Sequence, residues 1–179
     1  MSRQYFADLI GDPPSAALPT ITAITETVLV PTIFTGIPAM EPRAGKVYEL
    51  QVGGTLTTGL AGTLTITPRY GLVIGGTALG TSPVQNYVPS ITAAPFLFRL
   101  RMVFRSIGVA AGANSVAVCT YEFRANGAVA TASSETAVIG GSAAGVSVDT
   151  TVASGLWIGM TFSVAPSLVP LWSTWQSLN

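Results

Sequence analysis

The residues available for acid–base, nucleophilic or metal chemistry are few: the chain has eight carboxylates, one thiol and no histidine. Without an imidazole it lacks the commonest general base, the usual activator of a nucleophile and the commonest metal ligand. The carboxylates Asp8, Asp12, Glu26, Glu41, Glu49, Glu122, Glu135 and Asp149 are dispersed along the whole chain. Glycoside hydrolysis needs two of them facing one cleft, and no spacing here sets up such a pair. Glu49 and Glu122 fall on strand-like segments that could meet in space, where a salt bridge on a sheet face is the better reading. Calcium needs several oxygen ligands in one loop, and SVDTT around Asp149 supplies one carboxylate. Cys119 sits in SVAVCTYEF, whose period-two pattern makes it a small apolar strand residue. With no histidine partner it reads as an inert core thiol, and no internal disulfide or cysteine-based zinc site can form. No catalytic residue, metal or cofactor is expected.

The one dense basic feature is Arg99, Arg101 and Arg105 in PFLFRLRMVFRSI. Arg69, Tyr70, Phe98 and Phe104 lie near enough in sequence to suggest single-stranded nucleic acid, whose bases stack on aromatics beside a cationic groove. Strand alternation, however, sends Phe96, Phe98, Leu100, Met102 and Phe104 to one face and the three arginines to the other, with successive side chains on a face about 7 Å apart. A salt-bridged sheet face or a subunit interface is therefore expected. VGGTLTTG and IGGTALG lack the lysine of a phosphate-binding loop and the helix that should follow it, so they read as turns. Eight basic and eight acidic residues give a net charge of zero, hence no global field toward nucleic acid or anionic lipid. Neither is expected as a partner.

Charged residues make up 9% of the chain and apolar residues 49%, against roughly 25% charged in an ordinary soluble domain. A membrane-spanning helix would gather apolar residues into a run of about 20, whereas Gly, Pro, Thr and Ser interrupt every run here. MSRQYFADLIGDPP has Asp8 and Asp12 where a signal peptide needs its apolar core, so secretion by that route is not expected. Two readings fit the low charge. Either other subunits cover much of the surface, since interface cores are poor in charge, or Thr and Ser supply a polar surface without it.

The elements that must position these residues are strands. At 179 residues one domain is expected. Six of its twelve prolines, Pro13, Pro14, Pro19, Pro31, Pro38 and Pro42, fall in residues 1–45, which predicts an extended N-terminal arm. Within it, residues 20–30 alternate and are β-branched, as an edge strand would be, whether in an arm or as part of the compact domain itself, and residues 2–11 suggest a short helical turn. The body, residues 46–179, reads as strand, turn, strand: KVYELQV with a break at Gly53-Gly54, TLTITPRYG, a loop over 71–90 with a short strand at Leu72–Ile74, then PFLFRLRMVFRSI and NSVAVCTYEFRANG joined by GVAAGAN. If those last two are adjacent and antiparallel, Glu122 and Arg124 can join the arginine row. TAVIGG, GVSVDTTV and LWIGMTFSVA add three more strands, and the apolar SLVPLWSTWQSLN should tie the C-terminus into a sheet. About eight short strands at intervals of about 10 residues predict an all-β antiparallel sandwich of jelly-roll type.

AGKVYELQVGGTLTTGLAGTLTITPRYG, RLRMVFRSIGVAAGANSVAV and SGLWIGMTFSVAPSLVPLWSTWQSLN together resemble virion structural proteins of tailed phages that have a β-sandwich body. The resemblance covers residues 45–179 and leaves the arm unmatched. It implies a non-enzymatic capsid decoration or minor capsid protein, a homotrimer that binds the major capsid protein on the outer capsid surface, in part through residues 1–45, after assembly in the host cytoplasm. The alternative is a tail or receptor-binding module touching host-surface glycan through Tyr70, Asn86 and Tyr87; a jelly-roll shell subunit is a third. The candidate interface residues are Arg99, Arg101, Arg105, Tyr70 and Tyr87, with Trp172 and Trp175 near the C-terminus.

Overall fold

A computed structural model describes residues 7–11, 18–30, 35–71, 75–87, 89–125, 136–142 and 144–178. Among the described residues every regular element is a strand: β1 (Ala7–Gly11), β2 (Thr27–Val28), β3 (Gly36–Ile37), β4 (Val47–Thr58), β5 (Gly62–Tyr70), β6 (Thr77–Ala78), β7 (Gln85–Tyr87), β8 (Ile91–Ser106), β9 (Ser115–Ala125), β10 (Thr136–Gly141), β11 (Val146–Val148), β12 (Ser154–Phe162) and β13 (Pro166–Leu178). They form two antiparallel sheets. One has the order β1-β13-β4-β8-β9-β10, with β11 beside β10 along the far edge of β9; the other has β2-β12-β5-β6, with β3 next to β2 along β12 and β7 next to β6 along β5.

The ribbon of β4 and β13 in the larger sheet continues as β5 and β12 in the smaller one. This folding-over of one antiparallel ribbon is the wrapping a jelly roll uses. On the other side of β4 the chain runs as a meander, β8 to β9 to β10.

Alternation puts the apolar faces of both sheets together. Tyr48, Leu50 and Val52 of β4, Phe98 to Phe104 at every second position of β8, and Cys119, Tyr121 and Phe123 of β9 meet Ile66, Leu156, Ile158, Met160 and Phe162 from the smaller sheet. Each phenylalanine buried in this way contributes about 1.5–3 kcal/mol. The Tyr121 hydroxyl crosses between the layers and donates to the Ile66 carbonyl at 3.1 Å. The expected aromatic strand, the 107–114 hairpin and the anchored C-terminus are all present.

Several local expectations are corrected. β4 runs unbroken through Gly53-Gly54, where the Trp172 indole covers Gly53 and the β13 backbone at Val169 and Pro170 lies against Gly54. Residues 7–11, expected in a helical turn, pair with the end of β13 instead; residues 2–6 lie outside the described residues. Of residues 20–30 only Thr27–Val28 forms a strand, with a single further bridge from Ile21 to Leu168. The strand expected at 72–74 lies outside the described residues, and β6 and β7 occupy the flanking loop.

The described part of the N-terminal segment is built into the body. Leu18, Ile21, Leu29, Val30 and Ile37 belong to the same core as the two sheets. Glu26 reaches across Gly159 to Arg69, taking bonds from Nε at 2.9 Å and from a terminal guanidinium nitrogen at 3.0 Å, while the other terminal nitrogen donates to the Gly76 carbonyl at 3.2 Å. This fork-to-fork pairing raises the guanidinium pKa above its ordinary value.

Candidate functional site

The outward face of the larger sheet carries the predicted arginine row in four cross-strand rows. Leu178, Val47, Val103 and Val118 lie side by side across β13, β4, β8 and β9. Next come Gln176, Glu49, Arg101 and Thr120, then Thr174, Gln51, Arg99 and Glu122. Trp172, Gly53, Leu97 and Arg124 complete the set. Two charged rows are thus bordered by one apolar row and by a mixed one that combines Trp172 and Leu97 with Arg124.

Strand register creates the ion pairs. Arg101 approaches Glu49 at 3.6 Å, Arg99 approaches Glu122 at 3.8 Å, and Arg124 holds Glu122 at 3.0 Å. The Gln176 side-chain amide donates to Glu49 at 3.3 Å. Arg99 and Arg101 remain 54% and 58% exposed, so these pairs contribute at most about 1 kcal/mol each to folding. Between them lies a depression of about 380 Å³, lined by Glu49, Gln51, Arg99, Arg101, Thr120 and Glu122. Its carboxylates already share their charge with guanidiniums, an arrangement suited to binding a polar surface.

The other predicted interface residues separate into surface and core. Arg105 leaves the row at an irregularity between Phe104 and Ser106 and stands exposed. Trp172 is 44% exposed and its indole lies against Gly53. Tyr70, Tyr87 and Trp175 are corrections: at 5%, 6% and 1% exposure they are core residues. Their inward positions follow from strand parity, Tyr70 closing β5 edge-on to Phe104 at 6.0 Å and Trp175 stacking on Tyr48 at 5.4 Å. Burial pushes the Tyr70 phenol up to about 12. Burial raises the Tyr87 pKa too, and its hydroxyl donates to the Val164 carbonyl at 3.1 Å. Burial alone pushes the Cys119 thiol up to about 12, in keeping with an inert core thiol.

A second surface was not read from the sequence. At the end of the sandwich where β8 meets β9, three loops present Met40, Val109 and Val152 at 57%, 83% and 54% exposure. The loops are tied together. Met40 N–H donates to the Thr150 carbonyl at 2.8 Å, Ser115 and Thr150 share a hydroxyl bond at 2.8 Å, and Asp149 accepts from Gly112 N–H at 2.9 Å. Bonds from the Thr151 hydroxyl, then from the Thr151 and Gly112 amides, hold the Asp149 carboxyl below its ordinary range. Met40 sits at φ 60°, a left-handed conformation that a non-glycine residue adopts at some cost. Arg43 and Arg105 border this apolar end, exposed and without an ion-pair partner among the described residues. Isolated valines and a methionine in loops rich in Gly, Ala and Pro give no periodic signal that would mark such a site.

Among the described residues no three metal-ligating side chains cluster, and no helix is long and apolar enough to cross a membrane. No family model, no curated protein and no solved structure matches the chain.

Proposed function

We propose that the chain is a non-enzymatic structural subunit of a tailed-phage particle, binding the outside of the capsid as a decoration or minor capsid protein. The observation that carries this reading is the apolar end formed by Met40, Val109 and Val152, held rigid by hydrogen bonds between loops. Exposed apolar groups gathered on fixed loops mark contact with another protein, and such a patch has no role in the sandwich's own core. Arg43 and Arg105 beside it favour a partner surface that carries carboxylates. That fits the major capsid protein as partner, with the outer sheet face free for contact between copies. The resemblance of residues 45–179 to phage virion proteins supplies the choice of particle.

The alternative, a tail module contacting host glycan through the 71–90 loop, draws less support. Two of its three recognition residues, Tyr70 and Tyr87, point into the core, leaving Asn86 exposed.

The test is quantitative mass spectrometry of the purified particles that carry this chain, followed by co-sedimentation of the Val109→Asp/Val152→Asp variant with particles stripped of it. Copies in the hundreds on the head and at least tenfold weaker binding of the variant are expected. A few copies at the tail, or undiminished binding, would overturn the proposal.

A further inference from the structure

We propose that the outward face of the larger sheet is a contact between two copies of this chain, packed face to face about a two-fold axis that runs parallel to β4 and β8, midway between them. This extends the reading of the chain as an assembly subunit by assigning its self-association surface.

The four cross-strand rows carry the inference. A half-turn about that axis places β4 over β8 of the second copy and β13 over its β9, and leaves each row facing itself. Glu49 then faces Arg101 of the second copy and Gln51 faces its Arg99, twice over by symmetry. In the apolar row Val47 faces Val103. At the other border Trp172 faces Arg124, a cation over an indole, while that guanidinium keeps its bond to Glu122. Turning the axis across the strands instead sets Arg99 against Arg101 of the second copy, so the charge pattern selects one orientation. A three-fold contact, as in the trimer that the resemblance to phage virion proteins implies, joins two different patches and makes no use of this self-matching.

Two further observations point the same way. The intrachain contacts of Arg101 and Arg99, at 3.6 Å and 3.8 Å, are longer than hydrogen bonds, and each guanidinium has five N–H donors. Donors therefore remain for a second copy, and the depression between them offers room for its side chains. Four strands spaced about 4.8 Å apart and side by side over about eight residues, from Val47 to Gly54 in β4, cover on the order of 500 Å², and the flanking ends of β4, β8 and β13 bring the contact toward the roughly 800 Å² per partner of a specific interface.

The test is light scattering coupled to size exclusion at about 50 μM protein. The wild-type chain should show twice its 18.4 kDa mass. The acidic face Arg99→Glu/Arg101→Glu, which keeps Arg124 as its one cation among these rows, and the all-basic face Glu49→Arg/Glu122→Arg should each run as a monomer, with circular dichroism unchanged. Mixed one to one, they should restore the double mass, because opposite faces then meet. A monomeric or trimeric wild type, or variants that stay monomeric when mixed, would overturn the contact. A monomer that still binds particles would do so while leaving the capsid reading intact, whereas a dimer that binds no particle would do the reverse.

Discussion

Gly53 and Gly54 are neighbours in β4, yet a methyl group added to each meets different surroundings. At Gly53 the Cβ position is filled by the Trp172 indole, a side chain 44% exposed that can rotate outward. At Gly54 it falls on the Val169 carbonyl oxygen and lies 2.8 Å from Pro170 Cα and from the Phe96 ring. Val169 and Pro170 are backbone of β13, fixed by pairing on both sides of the irregularity between Pro170 and Trp172. Restoring ordinary contact of about 3.5 Å requires β13 to move by about 1 Å, and the same strand carries Leu168 and Trp175 into the core. Overpacking of this kind costs typically 1–3 kcal/mol and more where backbone must shift, so Gly54→Ala should lose about 3 kcal/mol. Gly53→Ala should lose about 1 kcal/mol or less, since the displaced indole is offset by the lower entropy of the unfolded chain. Urea unfolding followed by tryptophan fluorescence measures both. Equal losses at the two positions, or a Gly54→Ala loss under about 1 kcal/mol, would refute the argument from β13.

Other consequences are checked as simply. Glu26→Ala leaves Arg69 with the Gly76 carbonyl alone and should cost about 1–2 kcal/mol in urea unfolding, discounted because both side chains are about a quarter exposed. The Cys119 thiol, pushed up to about 12 by burial, should not react with a disulfide reagent at pH 8 in the folded chain and should react fully in denaturant. Asp149 has a folded pKa below its ordinary 3.8, so its stabilising bonds are fully present above that value and are lost as pH falls through the lower folded pKa. The melting-temperature gap between wild type and Asp149→Ala should therefore be constant from pH 7 to about 5 and close below about pH 4. Deleting residues 1–43 removes Ile21, Leu29, Val30 and Ile37 from the core, and the truncated chain should show no cooperative thermal transition by circular dichroism.

That last outcome follows one of the two readings the sequence left open, a segment built into the compact domain rather than a separate arm, and the reason the sequence did not choose is physical. Prolines at 13, 14, 19, 31, 38 and 42 correctly exclude helix and long strands, but an extended segment is equally able to leave the body or to line its sheets. Isolated apolar residues such as Ile21 and Leu29 carry no period that chooses between them. Where a strand is long the period is informative: Phe96 to Phe104 went to the core and Arg99 and Arg101 outward as alternation required. Tyr70, Tyr87 and Trp175 show the limit of judging an aromatic by its loop or terminal position. Tyr70 is the last residue of β5 and Tyr87 the last of β7, so each keeps strand parity to its end and turns inward. The pairing of Glu122 with Arg99 was legible because two adjacent strands joined by a short loop fix their own register. Glu49 with Arg101 depends on a pairing of β4 with β8 across more than 30 residues of chain, which no local pattern encodes.

The allocation of charge separates the two surfaces. Among the described residues Glu26, Glu41, Glu49 and Glu122 are each held by a cation, Lys46 serving Glu41, and Asp149 is held by amide and hydroxyl donors. Their role is geometric, fixing the N-terminal segment, the sheet face and the end loops. Arg43 and Arg105 are the described cations without such a task, and both border the apolar end. A second copy offers that end no uncommitted described carboxylate, and two ends brought together would oppose like charges. The outer sheet face has the opposite character, with one acid and one base in each of its two central rows and Arg124 of the next row bonded to Glu122. On the proposed reading, self-association therefore belongs to the sheet face, and contact with a chemically different, acidic partner belongs to the end of the sandwich.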